Sequence, residues 1–570
     1  MVLMADNPRR ARQPLRRLWQ ILTDPRRIAH RIALEKDRAA FKETAGFLAE
    51  AGRFEEASKR LLVVSLSDWV AQAKMEVMLA TALRLRGWTP TLLTFSDSAV
   101  AQSYFRASGI RRFVYFDQRL NQQDGLGRWV SEIVERLLAQ RMELDSVLHL
   151  RYRDVYVGRH VLSSILRALR CSRADLEDPR LAPRLRDGLL RSVQAVHAAE
   201  QVLEAVDPQL VMFLEKGYTP YAEVFDVAVN RGLNAIQWVH SHRADALALK
   251  RYTVSNRHQH PFSLSEASWQ AVREMPWTDE HERVLLRELK GRYEEGSWFS
   301  RKFLQTNKRL KCAEDVRQQL GLDPTKKTAV IFSHVLWDAT FFFGENLFDD
   351  YEQWLLETVQ LACDNPSVNW VIKIHPDYVW KLQAMGGGEV RDQVALDGRI
   401  GALPDHVKLL PPETDISTFS LFDVADYCLT VRGTIGIEMS CFGVPVLTAG
   451  TGRYSGLGFT IDSASRDEYL ERLRHIQEIP RMNEEQIELA KKHALTLLRL
   501  RPLEFSTFEM VQLPLERLGH PLDHNVVIRA HSLNDLLGAQ DLRAFAEWAS
   551  ESTALDYLNE APLSQPAPAP

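Results

Sequence analysis

The sequence predicts an α/β protein with two doubly wound, Rossmann-like domains in tandem, a helical N-terminal extension and a disordered C-terminal tail. Three observations carry this reading. Short β-branched runs alternate with helical patterns twice, first from residue 58 and again from residue 327. Between them, residues 263–326 are helical and highly charged, with no run fit for a central strand. The second group contains strands that stop abruptly on polar turns, as in VIKIHPD and LTVRGT. Strands alternating with helices of about 10–15 residues mark βαβ units and hence parallel sheets.

In chain order, residues 1–57 are a basic helical extension. Leu15, Leu18, Trp19 and Leu22 fall on one helical face among arginines, before Pro25 stops the helix. Such a stripe suits the inner leaflet of an anionic membrane, contacted through residues 12–22, or the protein's own surface. Residues 58–262 form the first domain, with strands at 61–66, 90–95 and 112–116 and helices at 71–86 and 97–107. A helix near 185–206, the strand in PQLVMFL, a helix at 221–231 and the strand NAIQWV complete it. After the connector 263–326, residues 327–500 form the second domain. Its strands lie in KTAVIFSH, at 370–374, HVKLLP, DYCLTV and VPVLTAG, with a helix at 352–362. Helical sequence is predicted at 484–499 and 508–518, and residues 501–570 are set apart as C-terminal helices ending in LSQPAPAP.

Composition narrows the function. The chain has 570 residues, 45% hydrophobic and 26% charged, with a formal net charge of −4, so it offers nucleic acid no global attraction. Five widely spaced cysteines, with no C-x-x-C pair, argue against a disulfide framework or a structural zinc site and fit a reducing cytoplasm. No uninterrupted apolar run reaches the ~18 residues of a membrane span, so a cytoplasmic protein, peripheral on the inner membrane face, is expected.

The chemistry concentrates at strand ends. A strand through Val371, Ile372, Lys373 and Ile374 must stop at His375, because Pro376 has no N–H for the ladder. Ligands of open α/β sheets lie beyond the carboxyl ends of the strands, where His375 would stand. Lys373, within the strand, points into a polar crevice or the edge. In LTVRGTIGIEMSCFGVPVLTAG, residues 429–450, a strand ends at Val431, Arg432-Gly433-Thr434 form the turn, and a helix follows. Gly433 and Gly436 would let a phosphate approach the first N–H groups, Thr434 would add a hydroxyl and Arg432 a charge. Glu438, one turn in, can accept from ribose hydroxyls. The alternative is an ordinary βα turn whose glycines serve packing.

With SHVLWDATFFF (333–343), EQWLLETV, VIKIHPD, VRGTIGIEMSCFGVPVLTAG and GRYSGLGFTIDSASRDEYLERL, the second domain resembles the capsule polysaccharide biosynthesis family of bacterial glycosyltransferases, which includes Kdo transferases. The resemblance implies a GT-B-like fold, two Rossmann-like domains facing across a cleft, with the donor nucleotide in the C-terminal domain and the acceptor mainly in the N-terminal one. It puts the nucleotide phosphate on His375 and the 433–436 turn, the ribose or base on Glu438, and Asp338 on donor or acceptor groups. His334 departs from the asparagine many relatives carry before V-x-W-D.

Glycosyl transfer also needs a carboxylate near the anomeric carbon, as base or nucleophile. Glu215 follows the strand LVMFL in the turn E-K-G-Y-T-P, with Asp154 in reserve, and His375 completes the catalytic set. Tyr218, His240, His242 and Arg243 are candidates for binding acceptor or sugar. No D-x-D triplet occurs, so no metal and no resident cofactor is expected. The reading is a glycosyltransferase that moves a sugar from a nucleotide-sugar donor, CMP-Kdo among them, to a surface polysaccharide or glycolipid. A nucleotide-sugar epimerase, a glycerophosphotransferase and a non-catalytic glycan-assembly subunit are the alternatives.

Overall fold

The computed structural model describes residues 25–559, except 121–125, 140–142, 300–303, 306, 385, 515–516 and 518. The Leu15/Leu18/Trp19/Leu22 stripe and the Pro/Ala-rich end lie outside the described residues. Pro25 opens a helix, Pro25–Ala45, where its fixed φ and missing N–H are tolerated. No helix among the described residues is long and apolar enough to cross a membrane.

The strands are β1 (Arg60–Val64), β2 (Thr89–Thr94), β3 (Phe113–Tyr115), β4 (Leu210–Phe213), β5 (Asn234–His240), β6 (Ala246–Tyr252), β7 (Thr328–Phe332), β8 (Asn369–Lys373), β9 (Val407–Leu410), β10 (Tyr427–Thr430), β11 (Val446–Thr448), β12 (Ile461–Asp462), β13 (Pro502–Glu504), β14 (Phe508–Gln512) and β15 (His524–Ile528). The first sheet has the order β13-β6-β5-β4-β1-β2-β3 and the second β12-β11-β10-β7-β8-β9. Strands β1 to β5 are parallel, and so is the whole second sheet. Helices cover both faces, which is why β4, β7, β8 and β10 are buried throughout and read as apolar runs. The two doubly wound domains face each other with their carboxyl edges across a cleft, the GT-B-like arrangement.

The C-terminal segment differs from the sequence reading. Residues 501–559 are part of the first domain: β13 pairs antiparallel with β6, itself an unpredicted antiparallel strand beside β5. The predicted helix at 508–518 is instead the strand β14, paired with β15. Within the strand Phe508 and Met510 are buried and Glu509 and Val511 are less so, a period of two that the helical reading passed over. The helix Val70–Arg84 is buried along its whole length because the sheet covers one side and Phe508, Leu533, Phe545 and Trp548 the other.

A fully buried ion-pair triad fixes this return. Asp556 lies 2.8 Å from both Lys250 on β6 and Arg501, and all three side chains are fully buried. Burial disfavours the Asp556 charge, yet Arg501 and Lys250 hold its carboxyl well below the usual range. Asp556→Ala should therefore cost about 3–5 kcal/mol, since two cations would stay buried without a counter-charge. Urea unfolding measures it, and a loss under about 1 kcal/mol would contradict the assignment.

Candidate functional site

A pocket opens at the carboxyl ends of β7, β8 and β10, roofed by the connector. His334, Lys373, His375, Gly433 and Thr434 line it from the second domain, and Arg292, Tyr293 and Gln305 from the connector. It spans about 600 Å³ with open solvent included.

His375 stands where the strand reading placed it. Its backbone N–H donates to Ser333 Oγ at 3.0 Å, and the Asp377 N–H donates to its Nδ1 at 3.1 Å. With Nδ1 accepting, the neutral ring carries its proton on Nε2. Lys373 is 2% exposed, and its Nζ donates to the Ile374 carbonyl at 2.7 Å. Burial first, then the nearby Lys308, lower its pKa to about 7.

His334 has a definite role. Its Nε2 accepts from the Val431 N–H at 3.2 Å, and its ring stacks on Tyr351 with centroids 4.6 Å apart. Burial, then the neighbouring His375, Arg432 and Arg453, push its pKa well below the ordinary value, so it is a neutral acceptor. An asparagine oxygen in its place would offer the same lone pair.

Arg432 is 6% exposed. Its Nη2 donates to the Glu345 carbonyl at 3.1 Å and to Asn346 Oδ1, while Nε and Nη1 have no hydrogen-bond partner among the described residues. Neither Arg432 nor Lys373 is within ion-pair distance of an acid among the described residues. A buried cation is costly unless an anion joins it, and here two such side chains stand beside one turn.

Several expectations change. A Cβ on Gly436 would lie 2.3 Å from the Tyr454 hydroxyl, which donates to the Gly433 carbonyl at 2.8 Å, so this glycine makes room for packing rather than for phosphate. Glu438 is not open to a ribose, because Arg292 and Tyr293 engage its two oxygens. Those residues sit in a π-helical turn, Gly291–Glu295, a geometry common at functional sites. Thr434 is the N-cap of Ile435–Cys441 and makes no side-chain cap, which leaves its hydroxyl to the pocket.

Asp338 is an interdomain tie rather than a donor contact. Tyr218 donates to its Oδ1 at 2.9 Å, Lys381 to its Oδ2 at 2.5 Å, and Arg167 lies 4.0 Å away over the Tyr218 ring. Tyr218, predicted to bind sugar, is consumed by this contact and 7% exposed. A Cβ on Gly217 would fall 2.2 Å from the Phe342 ring, so the turn after β4 docks on the second domain only with glycine there. His242 pairs with Glu288 at 3.1 Å and packs on Trp298; Arg243 binds Asp245 and Glu504. Both tie structural elements together. His240 is set among Trp69 and Trp238, and burial lowers its pKa to about 3.

Glu215 follows β4 on the cleft side, its Oε1 accepting from the Lys216 and Gly217 N–H groups at 2.7 and 2.9 Å. It interacts electrostatically with Arg167. Asp154 is elsewhere: exposed, with φ of 62°, its carbonyl accepting from Asn230 at the far end of the helix that leaves the cleft edge. That position rules it out as the reserve carboxylate. The residues missed by the sequence reading, Arg167, Arg292, Tyr293 and Lys381, act through partners too distant in sequence to leave a local motif.

No family model matches the chain, and no curated protein matches it. Similar solved structures include the β-Kdo 2,4 transferase of Thermosulfurimonas dismutans KpsC, at 13% identity, covering 52% of this chain and 81% of that one with a TM-score of 0.30. The β-Kdo 2,7 transferase of the same KpsC has 17% identity, covers 54% and 82%, and scores 0.29. UDP-GlcNAc 2-epimerase from Neisseria meningitidis bound to UDP-GlcNAc has 12% identity, covers 76% and 96%, and scores 0.25. Likenesses this distant carry nothing about activity.

Burial opposes the Asp338 charge, but Lys381 and Arg167 hold its carboxyl well below the usual range. A depressed carboxylate contributes stability that is present above about pH 4 and fades as pH falls through the folded value. Asp338→Asn should lower stability at pH 7 by about 1–3 kcal/mol and flatten the acid limb of the stability curve. A double-mutant cycle with Lys381→Met should show coupling; additivity within about 0.3 kcal/mol would remove the pair.

Proposed function

We propose that the protein is a glycosyltransferase that moves a sugar from a nucleotide-activated donor to a bacterial surface polysaccharide or glycolipid, with CMP-Kdo the donor its sequence resemblance favours. One observation carries the reading: buried Lys373 lines the pocket beside His375, and buried Arg432 opens the turn whose next residues line it, neither within ion-pair distance of an acid among the described residues. In this reading the donor phosphate meets the His375 Nε2–H and the Lys373 ammonium, and the Thr434 hydroxyl lies at its side. These fixed donors would stabilise the charge that develops on the leaving phosphate, without reorganisation as the bond breaks. The free edge of Arg432 would meet a second anionic group, a phosphate or a sugar carboxylate. Glu215, across the cleft, is proposed to take the acceptor hydroxyl proton or to attack the anomeric carbon. We also propose that transfer needs no metal ion, so that activity should survive chelation by EDTA.

Calorimetric titration with CMP, CDP, UDP and GDP tests the pocket. At least one should bind, and at about a hundred times its Kd it should stabilise the fold by ~2.7 kcal/mol. Because the Lys373 pKa is lowered to about 7, binding an anion must restore its proton above that pH. Affinity should thus weaken above pH 7, by at most about tenfold per pH unit, and the dependence should vanish in Lys373→Met. Equal affinity at pH 6 and pH 9 in the wild type would remove Lys373 from the site. His375→Ala should weaken nucleotide binding and nearly abolish turnover.

Glu215→Gln should leave nucleotide affinity near normal while cutting turnover by about 10² or more. A fall of less than about threefold would make Glu215 structural. Product analysis decides between classes, because transfer extends the acceptor and epimerisation leaves it unchanged.

A further inference from the structure

A second opening lies on the other side of residue 432, between the first domain's helices Leu144–Leu148 and Val157–Leu169 and the second domain's loop 341–349. It spans about 580 Å³ with open solvent included, and Arg159, Glu345, Asn346, Asp349, Leu148 and Phe341 stand in its wall. Arg159 is 3% exposed, and its Nε has no hydrogen-bond partner among the described residues. Its Nη1 faces Glu345 Oε1 at 3.4 Å and His258 Nδ1 at 3.5 Å, so its charge is met by one carboxylate. His258 is neutral, its pKa lowered to about 3 by burial and then by Arg159. Asp349 adds a carboxylate beyond that balance, and the Asp145–His149 pair at 3.0 Å stands at the rim.

A buried N–H without a partner calls for an acceptor, while the Glu345 and Asp349 carboxylates call for donors. Hydroxyl groups do both, and Leu148 and Phe341 offer apolar surface for C–H faces. An anion would meet the surplus carboxylate instead. We infer that this opening, lined by Arg159, Glu345, Asn346 and Asp349, binds an uncharged polyhydroxylated sugar ring, the acceptor end of the reaction. The inference rests on the glycosyltransferase reading for its role in transfer, though not for the binding itself. Arg432 joins the two openings: it donates to the Glu345 carbonyl and to Asn346 Oδ1 in the wall of one, and the next residues of its turn line the other. A sugar seated here therefore lies beside the donor turn. The predicted acceptor residues Tyr218, His242 and Arg243 are engaged elsewhere.

Saturation-transfer NMR on the full chain tests this with methyl β-galactoside, N-acetylglucosamine and glucuronate, each with and without the nucleotide that binds best. The neutral sugars should give signals strongest at ring C–H positions, and glucuronate should give weaker ones. Glu345→Ala and Asp349→Lys, both on exposed side chains, should reduce the neutral-sugar signals at least fivefold, and Asp349→Lys should leave nucleotide affinity unchanged. Absence of signal from both neutral sugars, stronger signal from glucuronate, or signals unchanged in both variants would overturn the inference. If no nucleotide binds but the neutral-sugar signals respond to the variants, the donor reading fails and this site stands.

Discussion

The meeting of Asp338 with Tyr218, Arg167 and Lys381 is the contact on which the rest depends. Two parallel sheets can point their carboxyl edges at one another in many ways, and here one carboxylate after β7 takes a hydroxyl from the turn after β4 and a guanidinium from the helix behind it. The flanking surface leaves no slack, since Gly217 packs its Cα against the Phe342 ring where a Cβ would collide. Charge, hydroxyl and shape thus fix one register between the domains, with Glu215 held three residues before Tyr218. The two openings lie on either side of the structure this register creates.

The pocket at the ends of β7, β8 and β10 holds an uneven balance of charge. His334 is kept neutral so that it can accept from the backbone of the next strand end, which shapes the turn. Around that neutral ring, Arg432 and Lys373 stay buried with neutral acceptors only. Such cations weaken an unliganded fold and strengthen a liganded one. The connector adds a second constraint: Arg292 and Tyr293 clamp Glu438, so the roof of the pocket is bound to its floor through one carboxylate. Movement of the connector would therefore be felt by the helix that follows the turn.

Stability of the first domain depends on a chain end far from its beginning. The strand β13 and the Asp556 triad return the segment after the second domain to the first sheet, and the helix Val70–Arg84 is enclosed only when they do. The domains are therefore linked twice, by the connector and by this return.

The alternation of β-branched runs with helices, the stop at His375-Pro376 and the turn at Arg432-Gly433-Thr434 were legible in the sequence, because period and turn chemistry are properties of neighbouring residues. So was the place of Glu215 just beyond a strand. Nothing local indicated that Glu438 would face Arg292, 146 residues away, or that Tyr218 would reach Asp338 across 120. The second glycine of G-x-x-G has the spacing of a phosphate position, yet Tyr454 fills the space beside it. Asp154 and Glu215 looked alike as acids near strand or turn, and only the path of the helix Tyr221–Asn230 separated them, by carrying Asp154's neighbour to the far edge. By itself the sequence determined which elements form and where strands end, since those follow from backbone sterics and local hydrophobic period. The tertiary structure alone decided which of the charged side chains are spent on one another and which remain for a ligand, because an ion pair is set by proximity in space, which spacing along the chain does not encode.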